Sequence, residues 1–287
     1  MKGFHNRILM IDLTSRSFET RDIPDSLCEK HLGGKGLASH LLLRFNPPRV
    51  DPFDAENCLI FATGPVTGSA VWGSCRYGLF TKSPQTGLYA ESYAGGRVPE
   101  AVDSAGYDAI LIKGKCDRLH ILIISPDRVS FRDAENLRGL DTYKTEDSVR
   151  MRFGNTDKGW KIGAVVIGPA GENRVRFSVV ENDHWRSAGR TGTGAIMGSK
   201  GIKAILFMGD RKRTFHDSEG VRSLSKQLPR EARDNPTAQG YKAMGTAGMV
   251  RIVNEIGAFP SQYWSRGTAK NWEKLSAEAL HKRCQVT

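Results

Sequence analysis

Apolar positions in this chain cluster in short runs rather than in one long amphipathic stripe. Arg7 to Leu13 (Arg-Ile-Leu-Met-Ile-Asp-Leu) predicts a strand, closed by a turn at Thr14-Ser15. From Asp25, a candidate N-cap, to Phe45 the period is helical, with Leu27, Leu32, Leu37, Leu41 and Leu42 roughly along one side. Gly33-Gly34-Lys35-Gly36 interrupts it, either as a break between two helices or as a place where backbone approaches a ligand; the break is the expectation. Between Cys58 and Asn182 the pattern becomes short strands separated by Gly and Pro, at Leu59–Ala62, Tyr77–Thr81, Ala109–Lys113, His120–Ile124, Val129–Phe131, Gly163–Ile167 and Val175–Val180. Helices are predicted at Pro99–Ser104 and at Asp141–Phe153, with Asp141 as cap. Alternation is weak, so periodicity does not decide how the strands pair. After Gly209-Asp210 only helical patterns remain, at His216–Leu228, at Ala243–Ile256 and from a Ser276 cap through Arg283. The expected division is a domain over 1–209 and the beginning of a helical domain over 210–287.

Three stretches recur in the same order. Ile60-Phe61-Ala62-Thr63-Gly64-Pro65 is echoed by Val165-Val166-Ile167-Gly168-Pro169, and Ala94-Gly95-Gly96 by Ala188-Gly189-Arg190. Gly106-Tyr107-Asp108-Ala109-Ile110-Leu111-Ile112 is echoed by Gly201-Ile202-Lys203-Ala204-Ile205-Leu206-Phe207. One echo is an easy accident; three in register indicate an internal duplication that builds a single domain. Two related glycine loops would then face a shared site.

The second of those loops lies in the densest glycine stretch, Ser187 to Lys200, where Gly189, Gly192, Gly194 and Gly198 surround Arg190. Such glycine density permits positive φ and close backbone approach, so an anionic group could rest on N–H donors with Arg190 forked onto it. Two phosphate motifs are excluded. The glycines read G-x-G-x-x-x-G rather than the dinucleotide G-x-G-x-x-G, and Lys200 follows Ser199 where a P-loop has Lys before Ser.

Composition adds less. With 287 residues the chain can hold a large core, and a net charge of +11 admits an anionic partner. The basic residues are dispersed rather than run together, which disfavours nucleic acid. The cysteines (Cys28, Cys58, Cys75, Cys116 and Cys284) have neither zinc nor iron–sulfur spacing and are odd in number, so a reduced, cytoplasmic chain is expected. No run approaches membrane-spanning length and the N-terminus lacks a signal-peptide core.

Gly64-Pro65, the run Arg76 to Pro84, Ala105 to Ala109, Gly168 to Asn173 and Ala188 to Lys200 together carry a resemblance. Over nearly its whole length the chain resembles the N-terminal half of the tungsten-containing aldehyde:ferredoxin oxidoreductases; Gly245-Thr246-Ala247 and Ser276 to Ala279 extend it into the start of that family's helical portion. The resemblance implies an α+β N-terminal domain of two intertwined pseudo-symmetric repeats with β-sheets, followed by the start of an α-helical domain. It implies tungsten (or molybdenum) between two pyranopterins, with Mg2+ bridging their phosphates, and a 4Fe-4S cluster in the complete enzyme. It assigns cofactor contact to Arg76, to the Gly95-Gly96 turn, and to Arg190, Thr191, Gly192, Thr193 and Gly194. The reaction implied is oxidation of an aldehyde to a carboxylate, with electrons passing to ferredoxin or another iron–sulfur carrier.

Two departures stand out. The family often has asparagine where this chain has Tyr93. The family's cluster motif, Cys-x-x-Cys-x-x-x-Cys, should follow shortly after Ser276 to Ala279, and the sequence given stops at Thr287, with Cys284 too early to be its first ligand. The catalytic acid–base residues of the family also fall outside it, so no residue here is assigned to the chemical step. Three routes to completion stay open, a second polypeptide carrying the C-terminal half, sequence lost by truncation, or none at all, and a homo-oligomer is the other partner considered. The alternatives are a relative acting on another acyl or aromatic substrate and a non-catalytic pterin- or phosphate-binding protein. Cys75, beside Arg76, is expected to be a packed residue, the histidines structural, Lys82 and Lys200 solvated or paired, and Trp72, Trp160 and Trp185 core or subunit-contact residues.

Overall fold

A computed structural model describes residues 1–154 and 159–284 and divides them into two compact units, Met1–Val221 and Arg222–Thr287. Twelve strands of the first unit form two six-stranded sheets. The first sheet contains β1 (Arg7–Asp12), β2 (Ser17–Asp22), β3 (Leu59–Thr63), β4 (Tyr77–Lys82), β5 (Tyr89–Ala94) and β6 (Ala109–Lys113), in the order β2-β1-β6-β3-β4-β5. The second contains β7 (His120–Ser125), β8 (Arg128–Asp133), β9 (Lys161–Val166), β10 (Val180–Asn182), β11 (Arg186–Ala188) and β12 (Ile202–Gly209), in the order β8-β7-β12-β9-β10-β11. Each strand of the second sheet occupies the place of the strand six earlier in the first. The pairings agree as well: β1 with β6 and β7 with β12 are parallel, and the other neighbours are antiparallel. The internal duplication read from the echoes is therefore a duplication of topology.

The helices repeat too. Helix α1 (Asp25–His31) and α2 (Gly34–Phe45) lie between β2 and β3, and α4 (Thr142–Phe153) between β8 and β9; α3 (Val98–Ser104) follows β5, and α6 (Thr193–Ser199) follows β11. Leu9, Ile11, Phe61 and Ile110 of the first sheet meet Leu122, Val165, Ile205 and Phe207 of the second in one core, where the rings of Phe61 and Phe207 lie 5.3 Å apart. Val98, Ala101 and Val102 of α3 and Ile196 and Met197 of α6 belong to that same core. On the outer faces, Leu37, Ala38, Leu41 and Leu42 of α2 cover Ile60, Phe80 and Leu111, and Val149 of α4 packs with Ala164, Val166 and Leu206. Central strands are thus buried on both sides, which makes their sequences continuous apolar runs and accounts for the weak alternation. The repeats interlock: a Cβ on Gly163 of β9 would stand 2.7 Å from the Cα of Val98, so α3 of the first repeat crosses the second repeat's sheet at backbone distance.

Several local expectations change. The break is real but lies at 32–33, where Leu32 and Gly33 take φ of 54° and 77°, and Gly34, Lys35 and Gly36 already belong to α2. Asp25 does not cap α1; Pro24 holds the cap position, and Asp25 accepts from the N-terminal ammonium at 2.6 Å. Val175–Val180 is not a strand, because Ser178 N turns back onto Val175 O and only Val180–Asn182 pairs. Asp141 and Ser276 cap as expected, accepting from Lys144 N at 2.8 Å and from Ala279 N at 3.3 Å.

The last of the echoes also places opposite charges at one buried repeat position. Asp108 receives Arg213 Nη1 at 2.7 Å, whereas its counterpart Lys203 pairs with Glu172. Residues 210–215 belong to the first unit, where Arg213 is buried.

The second unit comprises the greater part of α7 (Ser218–Asp234), α8 (Pro236–Met244), α9 (Val250–Glu255) and α10 (Ala277–Arg283). No side chain of α7, α8 or α9 is buried, and Tyr263, Trp264, Ile252, Ile256 and Leu275 are exposed. Among the described residues no helix is long and apolar enough to cross a membrane.

Candidate cofactor-binding face

Arg76 immediately precedes β4, and the Gly95-Gly96 turn immediately follows β5, its antiparallel partner. That pairing brings them together. A Cβ on Gly95 would lie 2.6 Å from Arg76 Nη1, so the guanidinium lies directly against this glycine. Gly96 takes φ +91°, a conformation glycine adopts without steric cost, and a Cβ on it would run into the Asp183 carboxylate. Cys75 Sγ donates to Gly96 O at 3.2 Å; burial pushes this thiol up, which keeps it a neutral donor. The expectation of a packed Cys75 fits this arrangement.

The second repeat holds the same turn from behind. Asn182 Nδ2, at the end of β10, donates to Gly95 O at 2.9 Å, and Tyr77 OH donates to Asn182 Oδ1 at 2.9 Å. Asp183 Oδ2 accepts from Arg97 N at 2.8 Å, and Asp183 Oδ1 from Arg150 Nη2 at 2.9 Å. Glu146 of α4, with its side chain 1% exposed, accepts from the N–H groups of Asp183 and His184 at 3.0 Å each. Sequence reasoning missed Asn182, Asp183 and Glu146. The available signal was Asp183, a residue type that tolerates positive φ in a turn; Asp183 and His184 have φ of 49° and 65° between β10 and β11.

The second glycine loop is tied to β5, the strand that leads into the Gly95-Gly96 turn, by the Arg190 N–H, which donates to Ser92 Oγ at 3.1 Å. Arg76 and Arg190 are both exposed, and among the described residues neither guanidinium forms an ion pair. A cavity of about 370 Å³ opens beside the turn, lined by Gly96, Arg97, Arg150, His184, Trp185 and Arg186 among others.

The stretch from Thr191 onward differs from the glycine-rich anion loop expected of it. Thr191 (φ 67°) and Gly192 (φ 78°) turn the chain, and α6 begins at Thr193. Thr193 is fully buried with its hydroxyl donating to Ala188 O at 3.2 Å, and Gly194 N donates to Ser178 O at 3.0 Å. A Cβ on Gly192, Gly194 or Gly198 would overlap the carbonyl oxygen of Arg176, Val179 or Gly171, respectively. Three of the four glycines in this stretch therefore answer to protein chains crossing, whatever the loop binds.

Lys200, expected to be solvated or paired, is 1% exposed and donates to the carbonyls of Ala55 at 3.0 Å and Gly114 at 3.2 Å. Burial without a carboxylate pushes it down to about 8 from the usual 10.5. The unfolded chain then keeps this proton to higher pH than the folded one. The burial penalty, about 3 kcal/mol, is present in full below pH 8 and fades as pH rises toward 10.5. Urea unfolding should accordingly show wild type gaining stability relative to Lys200→Met across that window; a difference flat in pH would contradict the assignment. Lys82 is likewise committed to backbone, donating to Val50 O at 2.7 Å. Trp72 and Trp185, at 59% and 74% exposure, are not core residues.

Residues 8–209 match the family described as aldehyde ferredoxin oxidoreductase, N-terminal domain, and residues 223–287 match aldehyde ferredoxin oxidoreductase, domains 2 and 3. The chain belongs to the aldehyde ferredoxin oxidoreductase family. It is 37% identical over 281 residues to the tungsten-containing aldehyde ferredoxin oxidoreductase of Pyrococcus abyssi, which covers 98% of this chain and 46% of that protein. The Thermococcus kodakarensis enzyme of the same name is 35% identical over the same shares. An aliphatic sulfonate oxidoreductase, WOR-like subunit, of Pyrococcus furiosus is 28% identical over 299 residues, all of this chain and 47% of that one. Among solved structures, the active site complex BamBC of benzoyl coenzyme A reductase with 1,5-dienoyl-CoA is similar at a TM-score of 0.76 and 34% identity, covering 81% of this chain and 35% of that chain. The chain spans about half the length of the curated relatives it matches. Family membership accounts for the α+β architecture and its doubled topology.

Proposed function

We propose that this chain is the cofactor-binding portion of a tungsten (or molybdenum) bis-pyranopterin oxidoreductase that converts aldehydes to carboxylates. The observation that carries the reading is the meeting of Arg76 with the Gly95-Gly96 turn at the end of β5, the strand to which the Arg190 backbone is tied, in a domain of this family. The donor set suits a ligand with phosphate groups, with exposed guanidiniums for the phosphate oxygens. Arg76, Gly95, Gly96, Arg190 and Thr191 would hold the cofactor, while Gly192, Thr193 and Gly194 keep the second loop in shape. The cofactor, when bound, supplies the metal and its sulfur ligands for two-electron chemistry. The protein side here is binding and orientation.

Electrons would leave to ferredoxin through a 4Fe-4S cluster held by a further polypeptide segment, with Mg2+ between the cofactor phosphates. The second unit leaves Ile252, Ile256, Tyr263, Trp264 and Leu275 exposed, apolar area that such a segment would cover. The likeness to a benzoyl coenzyme A reductase complex leaves an acyl or aromatic substrate as the second reading.

Protein purified from cells supplied with tungstate and molybdate, with and without a co-expressed C-terminal half, should contain about one equivalent of metal and about two of pterin in the completed form. Arg76→Ala and Arg190→Ala should each lower pterin retention by about tenfold, the loss of one charged hydrogen bond. Full retention in both variants would remove the phosphate assignment, and completed protein free of metal and pterin would remove the reading itself.

A further inference from the structure

We propose that Asn182, from the second repeat, is a positioning residue that fixes which way the Gly95–Gly96 peptide faces, turning Gly96 N–H toward an anionic group of the cofactor. This rests on the reading of the Gly95-Gly96 turn as part of the cofactor face. A peptide between two glycines has no Cβ to obstruct its rotation, so its orientation must be imposed by partners. Asn182 Nδ2 draws Gly95 O inward at 2.9 Å, and Asn182 itself is completely buried. The bond is trans, since no cis peptide occurs among the described residues. A planar trans peptide holds C=O and N–H on opposite sides, so Gly96 N–H points away from Asn182. The following peptide is held at both ends, Gly96 O by Cys75 Sγ and Arg97 N by Asp183 Oδ2.

The amide of Asn182 cannot be reversed without loss. Its Nδ2 lies against two acceptors, Gly95 O and Asp183 Oδ2 at 2.9 Å each, and its Oδ1 receives Tyr77 OH. Tyr77 is wholly buried, and burial pushes its phenol up, so the hydroxyl remains a donor at any working pH. The chain Tyr77–Asn182–Gly95 thus runs from one repeat to the other and back, and ends on the peptide beside Arg76. Were that peptide to flip, Gly95 O would face the ligand in place of Gly96 N–H, exchanging attraction for repulsion toward a phosphate.

Inorganic pyrophosphate, with and without Mg2+, is the probe, titrated into the full 15N-labelled chain. In wild type the Gly96 amide and Arg76 Nε–H resonances should move together. Asn182→Asp keeps the shape, lets Tyr77 donate as before and sets an acceptor against Gly95 O. It should weaken pyrophosphate binding about tenfold, the scale of one charged hydrogen bond, and abolish the Gly96 shift while Arg76 still responds. Tyr77→Phe, which frees the amide to rotate, should weaken binding in the same direction by about threefold and carries the test if Asn182→Asp does not fold. Wild-type affinity with an unchanged Gly96 shift in the folded variants overturns the positioning role and leaves the cofactor face standing. No response at either Gly96 or Arg76 in wild type overturns both.

Discussion

Arg213→Met should destabilise the first unit by about 3–5 kcal/mol, the cost of leaving buried charge without its partner. Arg213, with its side chain 1% exposed, pairs with Asp103 through Nε and with Asp108 through Nη1 at 2.7 Å. The same guanidinium donates to Gly3 O and to Thr63 Oγ1 at 3.0 Å each. Five donors in a rigid fork are what one side chain needs to satisfy two carboxylates, a carbonyl and a hydroxyl at once. His5 Nε2 at 3.0 Å from Asp103 Oδ1, and the N–H groups of His5 and Arg7 on Asp108, complete the cluster. Methionine fills the space but strands both carboxylates, at 7% and 1% exposure. Arg213→Lys should recover little, because an ammonium cannot span the four acceptors. Asp103→Asn combined with Asp108→Asn in the Met background should recover much of the loss, as the stranded charges are gone. Urea unfolding followed by circular dichroism measures all four proteins; an Arg213→Met within 1 kcal/mol of wild type would contradict the account.

None of that cluster was legible from sequence order. His5, Thr63, Asp103, Asp108 and Arg213 lie on separate segments and meet only once β6 is inserted between β1 and β3. What was legible was repetition. Each echo falls on a strand or strand end that the topology repeats: β3 and β9, the ends of β5 and β11, β6 and β12. Echoes survive where a residue is constrained twice, at a glycine turn and in a strand buried on both faces. Strands without such constraint were invisible. All residues of β2, Ser17–Asp22, are exposed, so it has no apolar face to betray it, and β11 has only three residues. The site was half legible. The two glycine turns came from the echoes and the glycine density and Arg76 from the family likeness, whereas Asn182, Asp183 and Glu146 act through contacts between repeats that sequence order does not reveal.

Glycine density was the most ambiguous signal, and one pair of substitutions separates its two meanings. Gly198→Ala should destabilise the first unit by about 2–3 kcal/mol, as overpacking of a rigid contact does. Its Cβ would overlap the carbonyl oxygen of Gly171, on α5 (Pro169–Glu172), where the short helices α5 and α6 cross. Both atoms in conflict belong to backbone, so neither can swing aside. Gly194→Ala should behave likewise against Val179 O. Gly189 is the contrast: it is exposed, its nearest obstacle is the Ser187 hydroxyl at 3.2 Å, and that side chain can rotate away. Gly189→Ala should therefore unfold within about 0.5 kcal/mol of wild type, in the range of ordinary surface substitutions, while any effect it has on pterin retention reports on approach to the cofactor. A Gly198→Ala protein with the wild-type urea midpoint would mean that the α5–α6 crossing can open, and the glycines of the stretch would again have to be explained by what the loop binds.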